Sequence, residues 1–336
     1  METILKVDNL VTAFQTENGQ VQAVRGISFE IGKGECVGVV GESGSGKSVT
    51  AMSILRLLAS TGKIINGKIH FKDTDLTALN KKQIREVRGQ NISMVFQDPM
   101  SSLNPLATVG KQVYEMIWVH NRSMPKAEIK ARVIELFEKV RIPEPEKRYN
   151  SYPHEFSGGM RQRVMIAMAL AINPELLIAD EPTTALDVTI QDQILSLLRD
   201  LQSESQMSIM FITHDLGVIA ELCSRVIVMY GGLIMEEAPI RDLFYKPMHP
   251  YTMGLLESVP AAAGKQGARL HPIPGSPPDM TNPPKGCPFA LRCRYAMNIC
   301  AQERPDYFYP DENRRSMCWL LSPEAPKTSN PFSRQE

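Results

Sequence analysis

Short runs of consecutive apolar residues recur along the first 230 positions and predict buried β-strands. The runs are Cys36–Val40, Ile92–Phe96, Leu176–Asp180, Ser208–Thr213 and Arg225–Tyr230. Runs that are apolar almost throughout, instead of alternating with polar residues, are typical of strands that are covered on both faces. Between several of them, as over Val188–Leu201, apolar residues recur every three or four positions, and this spacing predicts helices. An alternation of strands and helices predicts an α/β core with a largely parallel sheet.

The strand pattern stops between Met100 and Ala171. Within that stretch, Pro125 followed by the helical pattern Lys126–Val140 predicts a helix with a proline start, because proline fits the first turn of a helix. We therefore expect a helical insertion in the core at about residues 98–170.

Composition and charge narrow the class of protein. Hydrophobic residues make up 43% and charged residues 22% of the 336 positions, which is ordinary for a globular protein. The 37 basic side chains balance the 37 acidic ones, and this balance predicts no nucleic-acid partner. The longest apolar run, Val164–Ile172, has nine residues, whereas a membrane span needs about 20, so no span is predicted. The first residues have no basic segment before an apolar one, so no secretory signal is predicted either.

The composition changes near the C-terminal third of the chain. Of the 24 prolines, 16 lie in residues 239–336, and four of the six cysteines lie in residues 287–318. Proline punctuates loops and breaks helices and strands. The chain is therefore predicted to consist of a main domain, residues 1–255, and a loop-rich extension, residues 256–336.

The segment Gly41–Ser48 matches the phosphate-binding pattern G-x-x-x-x-G-K-[ST]. It follows the predicted strand Cys36–Val40 and precedes a helical pattern over Ser48–Leu58, which is the context that the motif requires. Glycines let backbone N–H groups face inward, and a helix N-terminus adds positive potential. Lys47 is expected to reach the β- and γ-phosphates, and the Ser48 hydroxyl to ligate Mg²⁺. The residues predicted to bind the nucleotide here are Gly41, Ser43, Gly44, Ser45, Gly46, Lys47, Ser48 and Val49.

A second motif, Leu176–Asp187, supplies acidic groups. Asp180 ends a predicted strand, where its carboxylate can hold Mg²⁺ directly or through water. Glu181 is the next residue and is placed to orient or deprotonate an attacking water. An acidic pair at a strand end is common by itself, but together with a phosphate loop it favours nucleotide hydrolysis.

The residues Ser157, Gly158 and Gly159 begin an apolar helical segment. A serine and two glycines at a helix N-terminus form a second anion site. Together with the two phosphate motifs, the segment resembles the signature of ATP-binding cassette (ABC) ATPases. The resemblance implies a P-loop core with a mostly parallel sheet, an antiparallel N-terminal β subdomain, a helical insertion, and a dimer that clamps each nucleotide between two subunits. Phe156 and Met160 depart from the usual leucine and glutamine, but the serine and both glycines remain.

Further positions match the same family. Gln97 resembles the glutamine that senses Mg²⁺ and links the core to the helical insertion, and His214 resembles the switch histidine at the γ-phosphate. Asp187 resembles the aspartate that communicates across the dimer. Phe14, on the first hairpin, is either the aromatic platform for adenine or a core aromatic. The resemblance implies catalytic roles for Lys47, Gln97, Glu181 and His214, with Ser48, Gln97 and Asp180 at the Mg²⁺.

The extension also has a family likeness. Its segments His249–Tyr251, Ile273–Asp279 and Lys285–Cys293 resemble the C-terminal extension of ATPases from bacterial peptide and nickel importers of the oligopeptide/dipeptide class.

The four cysteines of the extension are candidate metal ligands; they are Cys287, Cys293, Cys300 and Cys318. Four thiolates in a short segment favour a metal centre, but the C-x-x-C spacing common in structural zinc sites is absent from them. A [4Fe–4S] cluster is favoured by the loose spacing and by the family resemblance, while a zinc ion and free thiols remain alternatives. Cys36 and Cys223 lie in or beside apolar runs and are predicted to be core residues.

The resemblance implies the ATPase subunit of a membrane importer for short peptides, which uses ATP and Mg²⁺. Import of nickel or another small solute is the alternative within the family. A DNA-repair, chromosome or ribosome-acting ATPase is a less favoured alternative of another class. DNA-repair and chromosome ATPases share the core motifs but carry long coiled coils or tandem cassettes, and ribosome-acting members carry two cassettes. The expected partners are a second, homologous ATPase subunit, two membrane permeases and, through them, an extracytoplasmic solute-binding protein. The expected location is the cytoplasmic face of the cell membrane.

Overall fold

The structure, a computed structural model, describes residues 2–184, 186–258, 272–326 and 330–332. Contacts divide the chain into two compact units, one of Leu79–Met210 and one of Glu2–Ala78 together with Phe211–Glu336. This division differs from the boundary that we predict between residues 255 and 256, because strands of the extension pair with a strand of the main domain. The predicted boundary stays a prediction.

Strands and helices are interspersed along the chain. The strands are β1 (Thr3–Thr16), β2 (Gly19–Gly32), β3 (Cys36–Val40), β4 (Gly62–Phe71), β5 (Thr74–Asp75), β6 (Ile92–Val95), β7 (Leu176–Asp180), β8 (Ser208–Thr213), β9 (Arg225–Tyr230), β10 (Leu233–Pro239), β11 (Phe308–Asp311) and β12 (Arg314–Ser316). The helices are α1 (Lys47–Ile54), α2 (Lys81–Gln90), α3 (Pro99–Ser102), α4 (Val109–His120), α5 (Lys126–Lys139), α6 (Pro145–Arg148), α7 (Gly158–Leu170), α8 (Val188–Ser205), α9 (Leu216–Leu222), α10 (Ile240–Tyr245), α11 (Pro250–Glu257) and α12 (Asn298–Gln302).

The unit Leu79–Met210 combines a parallel strand pair with a group of helices. β6 and β7 pair in parallel, and the helices α3 to α7 lie between them in the sequence, as the helical insertion requires. Apolar side chains from α4, α5 and α7 form its core; Ile117, Phe137 and Val164 have no exposed surface. Pro125 caps α5 instead of being its first residue.

The second unit contains the N-terminal and C-terminal parts of the chain. β1 pairs antiparallel with β2 on one side and with β4 on the other, which confirms the antiparallel N-terminal β subdomain. β3 and β9 pair in parallel, and β10 runs antiparallel to β9. The extension adds β12 antiparallel to β10 and β11 antiparallel to β12.

Most predicted strands have the predicted bounds, and only the run Ile92–Phe96 is one residue shorter. The helix α1 is the clearer difference, because it ends at Ile54 and not at Leu58. Arg56 adopts a left-handed φ of 51°, and the Leu57 N–H donates to the Met52 carbonyl oxygen at 2.8 Å, which closes the helix. Glycine is the usual residue at such a helix end, so an arginine there gives no stop signal in the sequence.

Candidate functional site

The phosphate loop joins a fully buried strand to a helix. Its glycines Gly41, Gly44 and Gly46 adopt φ values of 152°, 76° and 101°, a region that residues with side chains rarely adopt. A Cβ on Gly41 would lie 2.1 Å from the Met229 carbonyl oxygen, and a Cβ on Gly46 would lie 2.5 Å from that of Ala23. Close packing therefore requires glycine at both ends of the loop.

Two polar side chains of this loop, Ser45 and Lys47, are buried and fit an anion, whereas Ser43 is exposed. The Lys47 ammonium group donates to the carbonyl oxygens of Gly41 at 2.7 Å and Glu42 at 3.0 Å. The Ser45 hydroxyl is buried and has no hydrogen-bond partner among the described residues. A buried hydroxyl without a partner is costly, and a phosphate oxygen at this helix N-terminus would satisfy it. Ser48 and Val49 are half-buried in the first turn of α1.

The predicted acid–base group lies directly after β7. Asp180 is the last residue of that strand and is buried, and Glu181 follows with a left-handed φ of 47°. The Glu181 Oε2 accepts hydrogen bonds from the Gln97 amide and the Thr184 hydroxyl, both at 2.9 Å. The structure therefore brings Gln97 and Glu181 together, and the catalytic roles predicted for them stay predictions. Thr184 was not among the predicted residues, although it lies in the same motif.

The signature serine begins a helix. The Ser157 hydroxyl accepts from the Met160 N–H at 3.3 Å and caps α7, and Asp187 caps α8 by accepting from the Ile190 N–H at 3.0 Å. A Cβ on Gly159 would lie 2.4 Å from Ile190, so glycine allows the two helix starts to pack together. Ser157, Gly158 and Asp187 are exposed, so these polar groups are accessible. Phe156, where the family usually has leucine, is buried and keeps an apolar position.

Two other predicted residues lie in the second unit. His214 is exposed at the end of β8, where the next residue, Asp215, caps α9. Phe14 is half-buried on β1, and a Cβ on Gly62 of β4 would lie 2.5 Å from its ring, so the ring covers that glycine. The roles predicted for both side chains stay predictions.

The four cysteines of the extension lie near one another. Cys287, Cys300 and Cys318 are buried and Cys293 is half-buried, and the Cys287 N–H donates to the Cys300 carbonyl oxygen at 2.8 Å. Burial, together with the smaller effect of charge on Cys300 and Cys293, raises the pKa of the Cys287 thiol to about 12. Burial likewise raises the pKa of Cys318, with smaller contributions from the other three thiols. Within the described ranges, no group of three or more His, Cys, Asp or Glu residues could hold a metal ion.

The remaining cysteines, Cys36 and Cys223, are buried at 3% and 5% exposure, which confirms them as core residues.

Comparisons with known proteins give the family. A family model described as ABC transporter matches residues 24–184, and one described as oligopeptide/dipeptide transporter, C-terminal region, matches residues 235–300. The oligopeptide transport ATP-binding protein OppD of Bacillus subtilis (strain 168) is 53% identical over 98% of this chain and 92% of its own length. The chain belongs to the oligopeptide/dipeptide ABC transporter ATPases. Within this family, the dipeptide transport ATP-binding protein DppD of Lactococcus lactis subsp. cremoris (strain MG1363) is 48% identical over 98% of this chain and 94% of its own length.

The solved structure of a relative also shows the ABC cassette fold. The cassette MJ0796, described as a dimer in a post-hydrolysis state with ADP and Pi, superposes with a TM-score of 0.64 at 30% identity, over 70% of this chain and 99% of that chain. The predicted fold class and the ATPase class of this family member are therefore confirmed. In the part of the chain that the structure describes, no helix is both long and apolar enough to cross a membrane.

Proposed function

We propose that this family member hydrolyses ATP to drive the uptake of short peptides through a membrane importer. The observation that carries the hydrolytic part is the Glu181 carboxylate, which Gln97 and Thr184 hold directly after β7. The peptide substrate is supported by relatives whose names specify oligopeptide or dipeptide transport and which match almost the whole chain, including the extension.

In the proposed reaction, the phosphate loop binds the β- and γ-phosphates. The Lys47 ammonium group exchanges its contacts with the carbonyl oxygens of its own loop for phosphate oxygens, and the Ser45 hydroxyl gains a partner. Mg²⁺, held by Ser48, Gln97 and Asp180, would neutralise charge on the phosphates.

Glu181 then accepts a proton from the water that attacks the γ-phosphorus, and the bond to the β-phosphate oxygen breaks to release ADP. His214 is proposed to contact the γ-phosphate, and Phe14 to stack on adenine.

We propose that a second cassette completes the site. Ser157 and Gly158 are exposed at the start of α7, where the helix N-terminus favours an anion, and Asp187 is exposed at the start of α8. In a dimer these groups would contact the nucleotide of the partner subunit. The expected complex contains a homologous ATPase subunit, two permeases and a solute-binding protein, at the cytoplasmic face of the membrane.

Reconstitution tests the transport function. The full complex is placed in lipid vesicles that contain ATP, and labelled oligopeptides are added outside with the solute-binding protein. The vesicles should take up the peptides. Lys47→Ala should abolish both ATP hydrolysis and peptide uptake. Uptake of nickel but not of peptides would replace the peptide importer with the nickel alternative.

The segment after Gln97 is proposed to contact the permeases. Met100 and Leu106 are apolar but 63% and 88% exposed, and they lie in the stretch of residues 100–113. A cysteine at position 106 should therefore crosslink to a permease in the assembled importer. Tyr245, which is 79% exposed in the other unit, provides the matched control position. Crosslinks from Tyr245→Cys but not from Leu106→Cys would contradict this proposal.

We also propose that Cys287, Cys293, Cys300 and Cys318 hold a [4Fe–4S] cluster with a structural role. The chemistry of the donors supports this, because four thiols lie within electrostatic reach of one another and three of them are buried, although as placed they do not form a group that could hold a metal ion. A bound cluster would cross-link four points of a proline-rich segment that has few regular elements.

Anaerobic purification followed by iron, sulfide and zinc analysis tests the cluster. Iron and sulfide in equal amounts are expected, and Cys300→Ser should lower both. The matched control Cys223→Ser changes a buried cysteine outside the extension and should keep them. Zinc without sulfide would replace the cluster with a zinc site, and the absence of all three would leave free thiols.

A further inference from the structure

The C-terminal extension contacts the phosphate loop through an arginine. Arg292 lies one residue before Cys293 and donates two hydrogen bonds to Glu42, from Nη1 to Oε2 at 2.6 Å and from Nη2 to Oε1 at 3.0 Å. Glu42 is the second residue of the loop Gly41–Ser48. Two parallel bonds between a planar guanidinium and a carboxylate fix orientation as well as distance.

The arginine itself is firmly held. Its side chain is only 6% exposed, and it donates to the carbonyl oxygens of Pro274 at 2.8 Å and Ile273 at 3.1 Å and to the Tyr230 hydroxyl at 3.1 Å. A buried guanidinium with these partners cannot move away without leaving charged donors unpaired. The extension therefore holds the Glu42 carboxylate in one place.

Both backbone polar groups of Glu42, its N–H and its carbonyl oxygen, form hydrogen bonds. Its N–H donates to the hydroxyl of the buried Tyr251 at 2.9 Å, and its carbonyl oxygen accepts from the Lys47 ammonium group at 3.0 Å. The Tyr251 ring packs against those of Tyr230 and Phe289, with centroids 4.6 and 5.2 Å apart. A residue held by the extension thus directly contacts the lysine that is proposed to bind phosphate.

A second contact supports the same loop from another side. A Cβ on Gly231, in the turn between β9 and β10, would lie 3.0 Å from Pro288 and 3.3 Å from Pro278 of the extension. The next residue, Gly232, donates its N–H to the Ser45 carbonyl oxygen at 3.1 Å. The extension therefore packs on a turn that is itself bonded to the phosphate loop.

We propose that Arg292 is a positioning residue for ATP binding, which holds Glu42 and thereby the loop in the geometry that phosphate binding requires. The proposal rests on the proposed function, in which this loop binds ATP. Glycines at positions 41, 44 and 46 leave the loop conformationally free, so a loop that is not held loses more entropy when phosphate orders it. The extension then contributes to nucleotide affinity without contacting the nucleotide.

Substitution of Arg292 by glutamine tests this role in the full-length chain within its complex. Arg292→Gln keeps hydrogen-bond donors but removes the charge and the fork. We expect ATP affinity, measured with a fluorescent ATP analogue, to weaken about tenfold and the KM for ATP to rise equally, which is an ordinary size for coupling between sites. The kcat at saturating ATP should change by less than about twofold, since Glu181 is unaltered, and Arg292→Lys should restore part of the affinity.

Arg294→Gln is the matched control. Arg294 lies two residues further along and pairs with Glu257 at the surface, with 56% of its side chain exposed. The Arg294→Gln variant should bind ATP with the affinity of the native chain. Thermal unfolding of each variant shows whether it is folded at the assay temperature.

The partner glutamate provides a second measurement. Glu42→Gln should weaken ATP binding similarly, and the double variant with Arg292→Gln should lose about as much as either single variant, because both remove one interaction. Native affinity in folded Arg292→Gln would overturn the proposal, as would equal losses in Arg292→Gln and Arg294→Gln. Lys47→Ala separates this result from the proposed function, since ATP binding by that variant would refute the loop as the ATP site itself.

Discussion

Replacement of Glu181 by glutamine tests the hydrolytic group with little change in geometry. Two hydrogen bonds to this side chain, from Gln97 and from Thr184, end on the same oxygen, Oε2. The amide oxygen of the introduced glutamine can occupy that position and keep both bonds, so the variant loses mainly its ability to accept a proton. General base catalysis contributes about 10²–10⁴ in rate, which corresponds to about 3–5 kcal/mol of transition-state stabilisation.

The assay compares turnover with binding. We expect Glu181→Gln to lower kcat at least about a hundredfold while ATP affinity stays within about threefold, because the base acts on the water and not on the bound nucleotide. Glu175→Gln is the matched control. Glu175 precedes the other end of β7 and accepts from the Asn91 side chain at 3.2 Å, so its variant should hydrolyse ATP at the native rate. Turnover of Glu181→Gln within about tenfold of native would refute the assignment of Glu181 as the base.

Two further predictions concern stability. Gly159→Ala would place a Cβ 2.4 Å from Ile190 and should lower the free energy of unfolding, measured in urea, by about 1–3 kcal/mol. In the control Gly158→Ala the Cβ would make an ordinary 3.5 Å contact, so the free energy of unfolding should change little. Equal losses in the two variants would contradict the packing argument. Burial raises the pKa of Glu236 to about 7, so the native state keeps this proton longer than the unfolded chain and loses stability as the pH rises from about 4.5 to about 7. A shift of this size corresponds to about 3 kcal/mol. The melting temperature of Glu236→Gln minus that of the native chain should therefore increase as the pH is raised from 5 to 8. The buried His249, whose pKa is lowered to about 3, is present in both proteins, so its effect cancels in that difference. A difference that does not depend on pH would contradict this account of Glu236.

Local patterns predicted the elements that carry most of the candidate site. The strands Cys36–Val40 and Leu176–Asp180 are buried at every position, and apart from Asp180 at the end of the second strand their residues are apolar, so their bounds are clear in the sequence. Glu181 directly follows one of these strands, and Ser157 directly precedes a helix. A residue whose role depends on its place at the end of an element can be predicted from neighbouring residues alone.

Contacts between distant segments could not be predicted in this way. Glu42 and Arg292 are 250 residues apart, and neither has a neighbour that marks it as a partner of the other. The strand β12 (Arg314–Ser316) has two arginines in three residues and no alternation of apolar and polar positions. Both features depend on how the extension folds back, which the family resemblance does not describe at the level of residues.

The pairing of the extension with β10 has a consequence for the solubility of the chain. Without β12, the N–H and C=O groups of β10 at Glu236 and Glu237 would face outward on a strand whose side chains are mostly buried. An uncovered strand of this kind is a template for pairing with other chains. The strand that replaces it at the edge, β11, has only four residues and includes Pro310, which has no N–H to donate, and the charged Asp311. The extension thus gives the sheet an edge that resists aggregation, and a chain shortened to residues 1–255 is expected to self-associate.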